Sequence, residues 1–355
     1  MSSLPEDIII NVLTRLPIKS LLRFRCVCKS WCNNLFTDPD FVKQQFDHAL
    51  KHHNPVILID STDFNISCIG YDLVSSTVSS DDHIVEIDYP TENEKYQIID
   101  VCHGLLCYIT ENKDIIIWNP YTKNYKKLPS PPEAHQSPMV EYGYGFGYDS
   151  KTEDYKFARM VSYQFGHGEL NVYSSRTDSW KTMVNVPFLY PYEQLVLFNG
   201  VFHWVQSSTL DSGFPRVIGS FDLESETFKE IQLPVEFLDR NKFTVVDLRF
   251  LEGNLYLIGR IYMAGVEVWM MKEYGVRESW TKMFTIDSQK FGGAAGYLTL
   301  KNSLGNGVIA VEVDHLHHYL YDLNKEDATQ LEINMPFFIW AFLGSLVSPA
   351  CWGTQ

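Results

Sequence analysis

Three cysteines lie close together near the start of the chain, at Cys26, Cys28 and Cys32. Thiolates at such spacing can bind Zn²⁺, but a zinc site needs a second cluster of cysteine or histidine ligands. No second cluster at zinc spacing follows in the sequence. We therefore predict that these cysteines are small buried thiols of a helical core and that they bind no metal.

Histidines are the next candidate ligands. His315, His317 and His318 are neighbours, but on a strand the side chains of 315 and 317 would point away from that of 318. Metal-binding histidines are usually accompanied by further ligands. His203 lies within the apolar run at 201–205 and is predicted to be a buried core residue. We expect no metal ion and no other cofactor.

Alternating glycines and aromatic residues at 143–148 suggest a nucleotide-binding loop at first sight. The run lacks the Gly-x-Gly-x-x-Gly spacing, and no helix follows that could direct its dipole at a phosphate. A strand with rings on one face and close backbone packing on the other explains the pattern. No Gly-x-Ser-x-Gly nucleophile motif occurs, and the paired acids Asp81–Asp82 and Glu153–Asp154 are predicted to lie in solvated turns. The sequence therefore predicts no enzyme active site.

The composition indicates a folded, β-rich protein of 355 residues. Hydrophobic residues make up 45% and aromatic residues 14%, which excludes a disordered chain and favours strands, because flat rings pack well on pleated surfaces. The net charge is −15, of which residues 1–46 carry +2 and the remainder −17. An acidic body argues against nucleic acid and anionic membranes as main partners, since these need basic surfaces. A basic protein partner, or solubility alone, would explain it.

The chain is predicted to act in the cytoplasm, the nucleus or both. Its seven cysteines have no paired spacing, and residues 1–7 lack the basic and apolar regions of a signal peptide. The most apolar stretch, residues 337–347, is too short to cross a bilayer and lies between Pro336 and Pro349. We expect no transmembrane segment.

Residues 4–46 have a helical pattern. Pro5 suits the first turn of a helix, and apolar residues then recur at steps of three and four up to Leu16, before Pro17 ends the pattern. Three further short helices are predicted, the last one after Asp38–Pro39. Four short helices cannot bury all of this apolar surface among themselves, so part of it is predicted to be an interface with another protein.

The blocks Leu-Pro-Glu-Asp-Ile-Ile at 4–9, Val-Leu-Thr-Arg-Leu-Pro at 12–17 and Lys-Ser-Leu-Leu-Arg-Phe-Arg-Cys-Val-Cys-Lys-Ser-Trp at 19–31 resemble an F-box of the plant type. In that family the F-box binds a Skp-type adaptor, which links it to a cullin scaffold. The resemblance implies that ten residues build the motif and its adaptor-facing surface: Leu4, Pro5, Ile8, Leu13, Leu16, Pro17, Leu21, Leu22, Val27 and Trp31. The sequence does not separate those that face the adaptor from those in the core.

From residue 55 onward the pattern becomes alternating, and a repeat of about 50 residues emerges. Aromatic residues at 118, 173, 221, 269 and 321 each begin a segment in which a strand leads through a polar turn to a returning strand. A second aromatic follows seven residues later in the first three segments, at 125, 180 and 228. The fourth segment has four extra residues before Trp280, and the fifth has Ala328 at that position. Hairpins led by glycines 104, 200, 253 and 307 precede four of the five.

This repeat predicts a β-propeller, because a four-stranded sheet of this length hides its faces only against its neighbours. Residues 55–355 would supply about six blades, with residues 343–347 as the last strand beside the first. A two-sheet sandwich is the alternative, but it would not require such a period. The predicted domains are an F-box at 1–46, a linker at 47–54 and an all-β domain at 55–355.

Several segments of the β region resemble the F-box-associated domain of plants, which is commonly grouped with kelch-type propellers. They lie at 103–107, 118–120, 144–149, 154–156, 178–180, 199–204 and 269–275. Kelch repeats carry a double glycine in each blade, whereas only Gly292–Gly293 occurs here. With the F-box, the resemblance covers nearly the whole chain and implies a small all-α F-box followed by a kelch-like propeller.

Together these resemblances imply the non-catalytic substrate receptor of a Skp–cullin–F-box (SCF) ubiquitin ligase. The reactive thioester in such ligases belongs to a separate conjugating enzyme, so the receptor only holds a target protein near it. The acidic β region favours a basic target, and the loops at 129–139, 188–192 and 207–214 are candidates for contacting it. A non-degradative interaction module on the propeller is the alternative; an enzyme on a propeller rests on fold analogy alone.

Overall fold

The computed structural model describes residues 5–33, 35–52, 56–61, 66–72, 77–78, 85–87, 90, 95–133, 139–163, 167–187, 192–207, 216–239, 241–251, 253–291, 297–305, 307–314, 316–331 and 337–352. The chain forms two compact units. The first comprises Met1–Leu128, Leu304–Asn306 and Phe337–Gln355, and the second comprises Pro129–Ser303 and Gly307–Pro336. Within the described ranges, no helix has the length and apolar character needed to cross a membrane.

Helices come first in the chain and strands follow. The helices are α1 (Glu6–Leu13), α2 (Ile18–Phe24), α3 (Lys29–Asn33) and α4 (Pro39–His52). The strands of the first half are β1 (Val56–Ser61), β2 (Ile66–Asp72), β3 (Thr77–Val78), β4 (Val85–Ile87), β5 (Tyr96–Cys102), β6 (Leu105–Thr110), β7 (Ile115–Trp118), β8 (Tyr125–Lys127), β9 (Met139–Asp149), β10 (Asp154–Tyr163), β11 (His167–Ser174) and β12 (Ser179–Pro187). Those of the second half are β13 (Tyr192–Phe198), β14 (Val201–Ser207), β15 (Arg216–Asp222), β16 (Thr227–Ile231), β17 (Phe243–Leu251), β18 (Asn254–Ile261), β19 (Gly265–Met271), β20 (Trp280–Asp287), β21 (Leu298–Gly305), β22 (Val308–Val313), β23 (His317–Asp322), β24 (Asp327–Gln330) and β25 (Phe337–Phe342).

Among the described residues, five antiparallel sheets have the regular form of a propeller blade, with four strands in chain order. They are β5–β8, β9–β12, β13–β16, β17–β20 and β21–β24. A further sheet has the order β25-β1-β2-β3, with β4 also paired to β2. The prediction of about six blades is therefore corrected to five regular blades. The strands between residues 56 and 87 do not form a blade alone, because β3 and β4 are short and share one partner, and β1 pairs with a strand from the far end of the chain.

Two other predictions at the ends of the β region also need correction. The strand beside β1 is β25, so the last strand precedes the predicted one at 343–347, and that segment is not a strand. Helix α4 continues to His52, so residues 47–52 of the predicted linker are helical.

The repeated aromatic residues occupy equivalent places in the five regular sheets, as the sequence predicted. Each lies on the third strand of its sheet and is buried: Trp118, Tyr173, Phe221, Trp269 and Tyr321. The residue seven positions later lies directly opposite on the fourth strand, which gives the cross-strand pairs Trp118–Tyr125, Tyr173–Trp180, Phe221–Phe228 and Tyr321–Ala328. In the sheet β17–β20 the extra residues change this register, so Trp269 faces Lys282 and Trp280 faces Met271.

Turn chemistry explains the constant spacing. In three of the hairpins between third and fourth strands, an Asn or Asp side chain accepts hydrogen bonds from two backbone N–H groups of the turn; these residues are Asn119, Asp222 and Asp322. The hairpin between β5 and β6 has positive φ at His103 and Gly104, and that between β13 and β14 has it at Asn199 and Gly200. Two consecutive positive φ angles define the type I′ turn, whose twist matches that of the strands.

The glycine–aromatic run at 143–148 is part of strand β9, as predicted. A side chain at Gly145 would place its Cβ 2.5 Å from the backbone oxygen of Leu195 on β13, so the glycine face packs directly on the next sheet. The rings occupy the other face, where the centroids of Phe146 and Tyr148 lie 6.1 and 4.9 Å from that of Tyr155. Gly145 and Gly147 thus allow close packing of neighbouring sheets.

Gly145→Ala is expected to lower the free energy of unfolding by about 2 kcal/mol, because overpacking of a close sheet contact forces the backbone apart. Gly147→Ala is the matched control: its Cβ would lie 3.1 Å from Leu197 Cβ, a tight contact but one with a side chain and not with backbone, and its cost is expected below about 1 kcal/mol. Urea denaturation of both variants gives the comparison. Equal effects would show that the two glycines do not differ in packing.

Asp154 is buried, contrary to the prediction that it lies in a solvated turn. Its carboxylate accepts hydrogen bonds from Ser174 Oγ at 2.5 Å and Ser175 Oγ at 2.6 Å, and pairs with Lys156 Nζ at 2.6 Å. Although burial alone would raise the pKa of this carboxyl group, these partners outweigh it and lower the pKa. The two serines lie 20 and 21 residues away in the sequence, so local inspection of the chain could not reveal these contacts.

Candidate adaptor interface

The four helices share a small apolar core. Leu13, Leu21, Phe36 and Phe41 are buried together within it. Pro5 and Pro17 are the N-cap residues of α1 and α2, where the missing N–H of proline costs no hydrogen bond. The Asp38 carboxylate accepts a hydrogen bond from the Phe41 N–H at 2.8 Å, so it caps the start of α4.

Part of the apolar surface of the helices remains uncovered. Ile8 and Val12 on α1 are 48% and 54% exposed, and Val27 after α2 is 61% exposed. Ile8 and Val12 are four positions apart and so lie on the same face of the helix. Burying exposed aliphatic side chains against another molecule is favourable, because it removes apolar surface from water. This face is the candidate site of the first unit.

The structure divides the ten residues that the sequence assigned to the motif. Pro5, Ile8, Pro17 and Val27 are exposed; Leu16, Leu22 and Trp31 are half-buried; Leu13 and Leu21 belong to the core; and Leu4 lies outside the described residues. Their contact with an adaptor stays a prediction. Val12 was missing from the set, although its spacing from Ile8 would have indicated it.

The cysteine prediction is wrong in one respect. Cys26 and Cys28 are exposed, and Cys32 is half-buried. The first two lie in the turn between α2 and α3, where Cys28 Sγ accepts a hydrogen bond from the Trp31 N–H at 3.5 Å. Among the residues with described positions, no group of three or more metal-ligating side chains comes together.

His203, His317 and His318 lie as the sequence predicted. His203 is buried, and its Nε2 is 2.7 Å from the hydroxyl oxygen of Tyr274 on the neighbouring sheet. Burial lowers the pKa of His203 to about 4. His317 is exposed and His318 buried, in keeping with opposite faces of a strand, and His315 lies outside the described residues.

The helices rest on the sheet β5–β8. The ring centroid of Phe46 on α4 lies 4.9 Å from that of His103, in the turn between β5 and β6. Tyr121, in the turn between β7 and β8, packs against the apolar core of the helices. Burial lowers the pKa of His103 to about 4, although the nearby Asp47 carboxylate acts in the opposite direction.

Lowering the pH from 7 to 4.5 is expected to remove about 2 kcal/mol of stability through His103 alone. Its folded pKa lies below the ordinary value of 6.5, so its contribution is present above pH 6.5 and is lost as the pH falls through about 4. His103→Asn is the matched variant, because asparagine before glycine favours the same positive φ. Urea denaturation at both pH values should show a smaller loss in the variant; an equal loss would contradict this role.

The loops predicted to contact a target lie in part outside the described residues. Residues 134–138, 188–191 and 208–215 lie outside the described residues. The target surface therefore stays a prediction.

Comparison with known proteins gives consistent assignments for both regions. The F-box domain family matches residues 1–38, and the family described as "F-box associated beta propeller domain" matches residues 56–328. The "F-box protein CPR1" of Arabidopsis thaliana is 28% identical over 359 residues, which cover 94% of this chain and 85% of that protein. The "F-box/kelch-repeat protein At3g23880" of the same plant is 30% identical over 305 residues, covering 80% of this chain and 79% of that protein.

Proposed function

The chain belongs to the family of F-box proteins that carry an F-box-associated β-propeller domain, and we propose that it is the substrate-recognition subunit of an SCF-type ubiquitin ligase. In this role the F-box binds a Skp-type adaptor, and through it a cullin. The β domain holds a target protein while a separate conjugating enzyme presents ubiquitin as a thioester. A lysine of the target then attacks the thioester, and proximity supplies the rate enhancement.

The observation that carries the proposal is the exposed aliphatic face of the F-box. Ile8, Val12 and Val27 are exposed, in contrast to the buried core residues of the helices. They lie within the region that matches the F-box family. Burying such residues stabilises a complex by roughly 1.5–3 kcal/mol for each side chain that becomes fully covered. A protein adaptor with an apolar groove fits this face.

A non-catalytic role is part of the proposal. His203 is fully buried and contacts the hydroxyl group of Tyr274. The buried carboxylate of Asp154 is engaged by Lys156 and two serine hydroxyls. These groups make structural contacts within sheets and turns, and His203 is not exposed to a substrate at the surface.

The target is proposed to be a basic protein, because the chain beyond the F-box carries −17. We place the complex in the cytoplasm, the nucleus or both, with neither nucleic acid nor membrane as partner. The kelch type of the β domain also belongs to this proposal. It is supported by the name of the relative F-box/kelch-repeat protein At3g23880, whereas the single Gly-Gly pair of the sequence argues against it.

Affinity capture of the tagged chain with and without a proteasome inhibitor tests the function. A degraded target should accumulate on the chain when the proteasome is blocked, together with adaptor and cullin, and mass spectrometry would identify it. Partners whose levels do not change with the inhibitor would instead indicate a non-degradative interaction module.

A further inference from the structure

The segment after the last strand, residues 343–352, makes contacts with both the F-box and the sheet β5–β8. We call this segment the C-terminal strap. Leu346 of the strap is buried in the same apolar cluster as Leu13, Ile18 and Leu21 of the F-box helices. A residue more than 300 positions away in the sequence therefore completes the core of the F-box.

At Gly344 the strap passes between the F-box helices and the sheet β5–β8. A side chain there would place its Cβ 2.5 Å from Tyr121 Cε2 and 2.9 Å from Ile18 Cγ2. Tyr121 belongs to the turn between β7 and β8, and Ile18 is the first residue of α2. The strap thus fills a narrow space, lined by a helix on one side and a sheet turn on the other, that has no room for a side chain.

Hydrogen bonds fix the strap to the sheet. The buried Asn119 donates from Nδ2 to the carbonyl oxygens of Ser345 at 3.0 Å and Val347 at 2.7 Å. Asn124 Nδ2 donates to Ser348 Oγ at 3.0 Å, and Lys126 Nζ donates to the Trp352 carbonyl at 2.9 Å. Ser345 Oγ in turn donates to the carbonyl of His103 at 2.7 Å. Both ends of the strap are therefore tied to the same sheet.

Asn119 has a double role in this arrangement. Its Oδ1 accepts hydrogen bonds from the N–H groups of Tyr121 and Thr122, which shapes the turn that carries Tyr121 against the helices. The same side chain thus orders the turn and holds the strap, and it uses its full hydrogen-bonding capacity in doing so.

We propose that the C-terminal strap is a positioning element that fixes the orientation of the F-box relative to the sheet β5–β8. If the proposed function holds, on which this step rests, the strap keeps the β domain and its bound target protein at a fixed position relative to the adaptor during ubiquitin transfer. Misplacement of reacting groups lowers a proximity-driven rate even when binding is unchanged. The exposed residues Ile8, Val12 and Val27 are not among those that pack in the cluster with Leu346, so adaptor affinity and orientation can be measured separately.

The orientation is tested first on the full chain without any partner. Spin labels are attached through non-canonical residues at two exposed sites, Asn11 on α1 and Glu111 in the turn between β6 and β7, and their separation is measured by double electron–electron resonance. Wild type is expected to give one narrow distance distribution. Gly344→Val and Leu346→Ala should each give a broad or shifted one, whereas the exposed Ala350→Ser, within the strap, should match wild type.

Amide hydrogen exchange of α2 and α4 shows whether the helices remain folded in each variant. Because Leu346→Ala opens a cavity, Leu346→Met serves as a milder variant that should restore the narrow distribution. Folded variants at Gly344 and Leu346 that keep the wild-type distance would overturn the proposal.

The functional part is tested in a ligase reconstituted from the full chain, a Skp-type adaptor, a cullin with its RING partner, a conjugating enzyme and ubiquitin. The readout is the distribution of ubiquitin over exposed lysines of the sheet β5–β8, such as Lys95, Lys113 and Lys123. Gly344→Val should spread or reduce this modification while the adaptor Kd changes less than about twofold, as for independent sites. An unchanged pattern would contradict the functional part. Absence of adaptor binding in wild type would refute the proposed function and leave the distance test of the strap intact.

Discussion

Ile8→Glu is expected to raise the Kd of the chain for a Skp-type adaptor about 100-fold, which corresponds to about 3 kcal/mol. Ile8 lies on the exposed face of α1, so the substitution places a carboxylate where the complex would exclude water, and an unpaired buried charge is costly. The fold of the free chain should not change, because the side chain is already exposed. Isothermal titration calorimetry measures the effect.

Leu50→Glu provides the matched control. Leu50 is also a large aliphatic residue, 59% exposed on α4, but it lies beyond the region that matches the F-box family. Its replacement should leave adaptor affinity unchanged. A similar loss in both variants would point to a general effect of added negative charge, and no loss in Ile8→Glu would place the adaptor elsewhere.

Trp118→Ala is expected to lower the free energy of unfolding by about 4 kcal/mol, whereas Tyr125→Ala should lower it by less than about 1 kcal/mol. The two residues face each other across β7 and β8, but Trp118 is 1% exposed and Tyr125 is 50% exposed. Trp118 lies in the apolar cluster between its sheet and the sheet containing β1, so its loss leaves a large cavity. Chemical denaturation monitored by circular dichroism gives both values. Comparable losses would show that the first aromatic of the repeat does not carry the packing.

The regular blades could be predicted because their spacing is set locally. Seven residues separate Trp118 from Tyr125, Tyr173 from Trp180 and Phe221 from Phe228, and a tight hairpin with a fixed turn makes each pair cross-strand neighbours. The residues that form a hairpin are close to one another in the chain, so their spacing can be recognised in a single sequence. The altered register around Trp269 was visible as an insertion for the same reason.

Long-range pairing was not predictable in this way. The partner of β1 is β25, and nothing local distinguishes the apolar residues of β25 from those just after it, so the last strand was placed at 343–347. The position of that segment depends on two contacts: Leu346 packs in the core of the helices, and Asn119 donates hydrogen bonds to carbonyl groups of the segment. Such contacts arise only once the two ends of the chain meet.

The adaptor-contacting residues of the candidate site stay a prediction. Proline and aliphatic spacing predicted the helices, and the resemblance to plant F-boxes located the motif, but all of its apolar residues look alike in sequence. The fold separates them: Leu13 and Leu21 turn into the core, while Ile8, Val12 and Val27 remain on the surface. Cys26 and Cys28 were assigned to the core because small thiols usually are buried, yet they lie in the turn between two helices.

The most direct test of the account is to mix the purified full chain with a purified Skp-type adaptor and follow the mixture by size-exclusion chromatography with light scattering. We predict a stable complex of one chain with one adaptor, which also recruits a cullin and which is lost when Ile8 is replaced by glutamate. Separate elution of a folded chain and a folded adaptor would contradict the account, because the exposed aliphatic face of the F-box would then have no adaptor to cover it.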